Sequence, residues 1–160
     1  MNTVLRSPSA DDDAAMLALN NEFAVETSLL DIASLRQLVA SSFHVRVAGQ
    51  MDGFCIALDQ DAGYQNPNFE WFRRKYRRFV YIDRVVVAAH ARGQGIARKI
   101  YGDLKLASQN ADHSVICCEI NIDPPNPASG RFHEAFGFVE VGRAFLADRA
   151  KTVGYLALSI

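Results

Sequence analysis

Val85-Val86-Val87-Ala88-Ala89-His90-Ala91-Arg92-Gly93-Gln94-Gly95-Ile96-Ala97 joins an apolar, β-branched run to a helix through a loop that holds two glycines. Gly93 and Gly95 lack a Cβ, so the backbone there can take left-handed angles and lie close to a ligand. Beyond them Ile96, Ile100, Leu104 and Ala107 fall on one arc of a 3.6-residue wheel, with Arg98, Lys105 and Gln109 opposite. That spacing predicts an amphipathic helix whose first turn begins in the loop. A helix start offers free N–H groups and the positive end of the dipole, which suits phosphate. Neither common phosphate loop fits, however. No Gly-Lys-Ser/Thr ending follows, and Arg98 stands where the last glycine of a dinucleotide loop would be.

The 160 residues read as one domain spanning 1–160, and 49% hydrophobic against 22% charged residues is the balance of a globular chain. Lys and Arg (17) nearly cancel Asp and Glu (18), so no global field recruits nucleic acid. No apolar signal core opens the sequence and no run approaches a membrane span. The expectation is a cytoplasmic protein with neither nucleic acid nor membrane as partner. Cys55, Cys117 and Cys118 sit in strand-like runs without the spaced histidines of a metal site. They read as buried thiols, and no metal is expected.

Residues 3–6 read as a short first strand. Ser9 then caps a helix whose first turn carries Asp11, Asp12 and Asp13, with Met16, Leu19, Asn20 and Phe23 on its inner arc. A second helix is predicted over 31–40. Phe43, Val45 and Val47 alternate with His44 and Arg46, residues 49–53 turn, and Phe54, Ile56 and Leu58 return. This is a hairpin signature with His44 facing solvent. Residues 62–78 interleave Tyr64, Phe69, Trp71, Phe72 and Tyr76 with five bases. Such a run can bind single-stranded nucleic acid by stacking and phosphate contact, which the neutral overall charge opposes. It can equally form a short amphipathic helix on the sheet, walling a substrate site. Residues 79–87 and 115–121 are apolar runs of the kind covered on both faces, and the helix between them makes a parallel βαβ unit. Asn126 caps a further helix with Pro127 at its first position and Gly137 at its end. Residues 138–145 and 152–158 close the chain as a hairpin.

Arg92-Gly93-Gln94-Gly95-Ile96-Ala97 resembles the Arg/Gln-x-x-Gly-x-Gly/Ala acyl-CoA loop of the GNAT superfamily of N-acyltransferases. The strand before it and the helix after it stand where that family has them. Residues 126–138 resemble the same family's C-terminal signature: Asn126 and Gly137-Phe138 match, while His133 occupies the tyrosine position. The two motifs and their connecting elements cover roughly the C-terminal half. The resemblance implies an α/β fold with a mixed central sheet of about seven strands, about four flanking helices and splayed parallel central strands. It implies an acetyl-CoA-dependent N-acetyltransferase that moves the acetyl group to a primary amine by direct attack. Acetyl-CoA would be the cosubstrate and a small-molecule amine or a peptide the acceptor, with room for a homodimer. Backbone groups of Val85, Val86 and Val87 would bind the pantetheine arm and the thioester carbonyl. Arg92 begins the loop, and the amides of Gly93, Gln94, Gly95, Ile96, Ala97 and Arg98 would cradle the pyrophosphate. Asn126 would contact the cofactor as well as cap its helix. A rival reading is a non-catalytic acyl-CoA-binding module of the same fold.

A protonated amine must lose a proton before it attacks, and the leaving thiolate gains from a donor. Glu119, inside an apolar strand, is the candidate base, since desolvation raises a carboxyl pKa. It reads equally well as the partner of Arg84 in a buried ion pair. Asp83 is the second candidate base. Asn121 either positions a water or the acceptor, or bonds the backbone. His133 is the candidate acid, which would give an alkaline limb to the rate profile; the alternative is a structural histidine bonded to Ser129 or a carbonyl. Bases near residues 64–76 would repel polyamines and draw an acceptor that also bears a negative group, pairing it with Arg73 or Arg74.

Overall fold

Alternating and β-branched runs build a seven-stranded mixed sheet in the computed structural model, which describes residues 2–160. In chain order the strands are β1 (Leu5–Arg6), β2 (His44–Ala48), β3 (Gly53–Asp59), β4 (Val80–Val87), β5 (Val115–Asp123), β6 (Val139–Leu146) and β7 (Lys151–Ser159). Across the sheet the order is β1-β2-β3-β4-β5-β7-β6. Every neighbour is antiparallel except β4 and β5, which run parallel as the βαβ pattern predicts. That pair meets at only two positions, Val80 with Ile116 and Tyr81 with Cys117. Past Tyr81 the strands part, β4 held by β3 and β5 held by β7. Ile56 and Ala57 oppose Arg84 and Ile82, which leaves Asp83 as an extra residue in a bulge where β4 leaves its neighbour.

Six helices flank the sheet, where about four were expected: α1 (Asp13–Glu22), α2 (Ala24–Thr27), α3 (Ile32–Ala40), α4 (Pro67–Lys75), α5 (Ile96–Asn110) and α6 (Pro127–Phe136). The difference lies in the short ones. The four residues of α2 bury none of their number and so carry no periodic signal. Ser9 caps the chain before α1 through a 3-10 turn, in which Asp12 accepts from the Ser9 N–H at 2.7 Å and from both Arg6 Nη atoms at 2.7 Å. Asp31 caps α3, and Asn66 caps α4 with Pro67 at its first position. Among the described residues no helix is long and apolar enough to cross a membrane.

The segment 62–78 turns its aromatics inward. Phe69 and Phe72 are fully buried against Tyr81 and Tyr155, and Trp71 stacks on Tyr155 at 4.2 Å. Offset and edge-to-face ring pairs of this kind add to the burial of large apolar surfaces. The rings needed for base stacking are therefore spent in the core, and α4 is the amphipathic cover. His44, expected in solvent, is buried: its Nε2 lies 2.8 Å from an Asp103 oxygen, because α5 packs across β2 and brings the carboxylate to it. All three cysteines are buried, and burial pushes the Cys55 thiol up to about 12.

The fit of α4 against the last hairpin is close. A Cβ placed on Gly142 in β6 would stand 2.4 Å from Trp71 Cζ2. Gly142→Val should therefore force a shift of the Trp71–Tyr155 stack and cost about 1–3 kcal/mol as overpacking. Thermal unfolding should show a midpoint several degrees lower; an unchanged midpoint would mean that Trp71 moves aside freely.

Candidate active site

Because β4 and β5 part, the facing edges of Ile82–Val87 and Cys118–Asp123 carry backbone donors and acceptors that no strand satisfies. Two cavities open there. One, of about 460 Å³, is lined by α2, the end of β5 and the β6–β7 turn; the other, of about 370 Å³, runs along Val85, Val86 and Val87 to Arg92 and Ala97. They share Glu26, Thr27, Val85, Tyr101, Asn126, Ser129 and His133, so they form one passage with a neck at these residues.

The second cavity gathers most of the predicted cofactor residues. Gly93 and Gly95 both hold left-handed backbone, at φ +76° and +77°, and Gly95 is the N-cap of α5. The N–H groups of Ile96, Ala97 and Arg98 occupy the first turn, where no helical acceptor exists for them. The side chain of Ile96 is buried in the core, so only its backbone can serve a ligand, while Gln94 and Arg98 are exposed. The Arg92 guanidinium lies over the Phe23 ring at 4.7 Å beside the cavity. Asn126 accepts from the Ser129 N–H at 3.3 Å, which is the capping role, and also faces both cavities. A parted strand edge, a run of free amides and a groove between them suit a long ligand with amide groups and an anionic end.

The first cavity holds the carboxylates. Glu119 does not pair with Arg84. It accepts from the Tyr81 hydroxyl at 2.7 Å and 3.0 Å and from Asn68 Nδ2 at 3.1 Å, and Asn68 in turn accepts from the Tyr155 hydroxyl at 2.8 Å. Burial, with the charge of Asp83 adding to it, pushes the Glu119 carboxyl up to about 7 against the pull of the Tyr81 and Asn68 donors. Arg84 belongs instead to Asp83 at 2.7 Å and to Asn20 Oδ1 at 2.8 Å, and the Tyr64 hydroxyl donates to the other Asp83 oxygen at 2.6 Å. The bulge at Asp83 accounts for the exchange. It places residues 83 and 84 so that both are buried and turned to each other. Both carboxyls thus have both oxygens engaged and both line the cavity, but Asp83 is paired with a guanidinium and Glu119 only with neutral donors.

His133 is buried at the neck. Its Nδ1 lies 2.7 Å from the Ser129 carbonyl oxygen, which only an Nδ1–H can satisfy, and its Nε2 lies 2.8 Å from the Tyr101 hydroxyl. Burial lowers its pKa, so the neutral ring accepts from Tyr101 at Nε2. The Tyr101 hydroxyl itself is held far above the usual phenol range by burial, and stays protonated. Sequence reading missed Tyr101. The signal was there, since Tyr101 lies one position after Ile100 on the inner arc of α5, but a tyrosine in that place reads as core. Asn68, Tyr81 and Tyr155 were missed for the same reason.

Arg73 and Arg74 do not reach either cavity. Arg73 donates to the carbonyls of Ala62 and Gln60 at 2.6 and 3.2 Å and lies over the Phe69 ring, on the far side of α4. The expected pairing of an acceptor with these two arginines is therefore not made. The bases that line the acceptor-side cavity are Arg84, Arg149 and Lys151.

A seven-stranded sheet parted at its parallel pair, with a helix start aimed along the gap, defines an acyl-CoA transferase class of fold. A model of the acetyltransferase (GNAT) family matches residues 25–138. The chain belongs to that family and is an N-acetyltransferase. The ribosomal-protein-alanine N-acetyltransferase of Brucella melitensis is similar at 26% identity and a TM-score of 0.74, over 98% of this chain and 99% of that one. The ribosomal-protein-S18-alanine N-acetyltransferase of Escherichia coli shares the fold at 14% identity and a TM-score of 0.74, over 99% and 94%. A chain of the NatC complex bound to Gag peptide and CoA does so at 18% and a TM-score of 0.78, over 100% and 99%. No curated protein matches by sequence search.

The loop can be tested directly. A Cβ at position 95 meets no neighbouring atom, but valine there strains a backbone at φ +77° and sets a branched side chain where a ligand would approach. Gly95→Val should weaken CoA binding by about 2 kcal/mol, the scale of a charged hydrogen bond, in calorimetry on the folded protein. Unchanged affinity would remove the loop from the CoA site.

Proposed function

We propose that this protein transfers the acetyl group of acetyl-CoA to a primary amine by direct attack, with Glu119 as the base. One observation carries the reading: a carboxyl with a pKa of about 7 faces the cavity at the point where β4 and β5 part. Its neighbour Asp83 already has its charge compensated by the Arg84 guanidinium, whereas Glu119 has only the neutral donors Tyr81 and Asn68. Two carboxylates in environments this different divide the roles between them. Asp83 orders Tyr64 and Arg84, and Glu119 takes the proton. A non-catalytic CoA-binding module would have no use for a buried acid held ready by Tyr81 and Asn68.

The chemistry then runs as follows. Glu119, directly or through one water, removes a proton from the acceptor ammonium, and the free amine forms its C–N bond at the thioester carbonyl. The exposed edge of β4 at Val85–Val87 supplies an N–H to the carbonyl oxygen, as a preorganised donor. When the C–S bond breaks, the sulfur takes the proton of the Tyr101 hydroxyl, and the second proton that the attacking nitrogen loses on becoming an amide restores that hydroxyl. With Nδ1–H committed to Ser129, neutral His133 has no proton of its own free for the sulfur. The proton that can move is the one on Tyr101 Oη, shared with His133 Nε2, so Tyr101 is the donor to the sulfur and His133 positions its hydroxyl. The acceptor is a small amine or a peptide N-terminus.

The rate should rise with pH through about 7, because Glu119 acts only when ionised, and should then stay level, since Tyr101 keeps its proton. Glu119→Gln should lower kcat about 10²-fold and abolish that limb. A full rate with an unaltered profile would take the base role from Glu119. Tyr101→Phe keeps the packing against Phe132, Phe136 and Phe138 but loses the hydroxyl. It should lower kcat by about 10²-fold, within the range of general acids, with a smaller change in KM for acetyl-CoA. An alkaline limb near the usual histidine value, removed by His133→Ala and kept by Tyr101→Phe, would return the acid role to His133.

A further inference from the structure

The acceptor-side cavity is charged at both ends, and only one end is used by the transfer. At its floor Asp83 is neutralised by Arg84 and Tyr64, and Glu119 takes the amine. At its outer wall stand Arg149 and Lys151 of the β6–β7 turn. Ala150 between them holds left-handed backbone at φ +49°, and with this turn the residues on both sides line the cavity. Lys151 is half-buried and makes no hydrogen bond or ion pair with any described residue. Arg149 has only Asp148 at 3.8 Å, too far for a hydrogen bond, with the Asp148 side chain 71% exposed. Burial, with the charge of Arg149 adding to it, lowers the Lys151 pKa against the pull of Glu119 and Asp148. Two like charges held together over a cavity, one of them desolvated and unpaired, are relieved by an anion between them.

We propose that Arg149 and Lys151 form an anion subsite of the acceptor pocket, and that the acceptor is a small primary amine bearing a carboxylate, of the amino-acid type. This rests on the transferase reading and names its substrate class. The amine end goes to Glu119 at the parted strands, and the carboxylate end goes to the turn. The carboxylates that oppose the two cations are Glu26 on the α2 side, Asp148 next to Arg149 and Glu119 at the floor, none of them within ion-pair distance of Lys151. An amine without an anionic group would leave Lys151 desolvated and unpaired, whereas a polycation would add a third positive charge to the same wall. The bound carboxylate would also fix the amine at one distance from Glu119, which turns the charge pair into a positioning device. Small neutral amines should be turned over less well, and polyamines least.

The test compares each acidic amine with its own carboxamide, β-alanine against β-alaninamide and glycine against glycinamide, by release of free CoA thiol. The ratio of kcat/KM, acid over amide, should be about tenfold or more in the wild type, the scale of a charge-assisted hydrogen bond. Lys151→Met should bring the ratio towards one, and Lys151→Glu with Arg149→Glu should invert it. Comparable turnover of acid and amide in the wild type, or a ratio that none of these substitutions moves, would overturn the subsite while leaving the transferase intact. Calorimetric binding of β-alanine that is lost in the double charge reversal, without any thiol release, would support the subsite and fail the transferase reading. Spermidine as the best acceptor of the panel would overturn it as well.

Discussion

Strands β4 and β5 share only Val80–Ile116 and Tyr81–Cys117 before they part, and the site is built from what that parting leaves unpaired. Each strand is anchored on its outer side, β4 by β3 along its whole length and β5 by β7. The two halves of the sheet can therefore diverge without either strand losing its frame. Backbone groups in the gap would be costly if they were buried without partners. They are tolerable only because a ligand or water can reach them. The bulge at Asp83 lies two residues past the last paired position, and in one step it brings Asp83 and Arg84 together and leaves Glu119 unopposed by a cation.

The two carboxyls differ in what compensates their burial. Both are buried, and both accept from a tyrosine. Asp83 also has a guanidinium, so its charge is compensated. Glu119 has an amide and a phenol, which soften the penalty of burial without cancelling it, and its pKa stays near neutrality. The donors to Glu119 come from β4 and α4, and Asn68 is held by Tyr155 of β7. Three separate elements thus fix one side chain. The aromatic cluster beneath α4 does more than fill the core, because Tyr81 and Tyr155 are members of it and carry that network.

At the neck the same economy holds. A tyrosine on α5 and a histidine on α6 share one proton, and the Ser129 carbonyl fixes the ring's tautomer. The family's tyrosine position on α6 is filled by His133, and a hydroxyl from the neighbouring helix reaches its ring.

The elements of this protein were legible because each is written in local terms. Val85–Val87 is β-branched, Gly93 and Gly95 punctuate, and Ile96, Ile100 and Leu104 recur at helical spacing. Asn126-Pro127 and Gly137 mark the ends of α6 in the way backbone geometry requires. The parallel unit, the seven strands, the loop that opens on the cleft and the carboxyl of Glu119 followed from these patterns. Four residues of α2 did not, for they bury nothing, and the burial of His44 did not, for its partner Asp103 lies on a helix 59 residues away. The partners of Glu119, the Tyr101–His133 bond and the Arg149–Lys151 wall were likewise decided only by tertiary structure. Alternation and periodicity report which face of an element is buried, but they are blind to what lies across from it. A tyrosine facing the core reads the same whether its hydroxyl ends against a ring or a carboxylate, and only the packing of one element on another distinguishes the two.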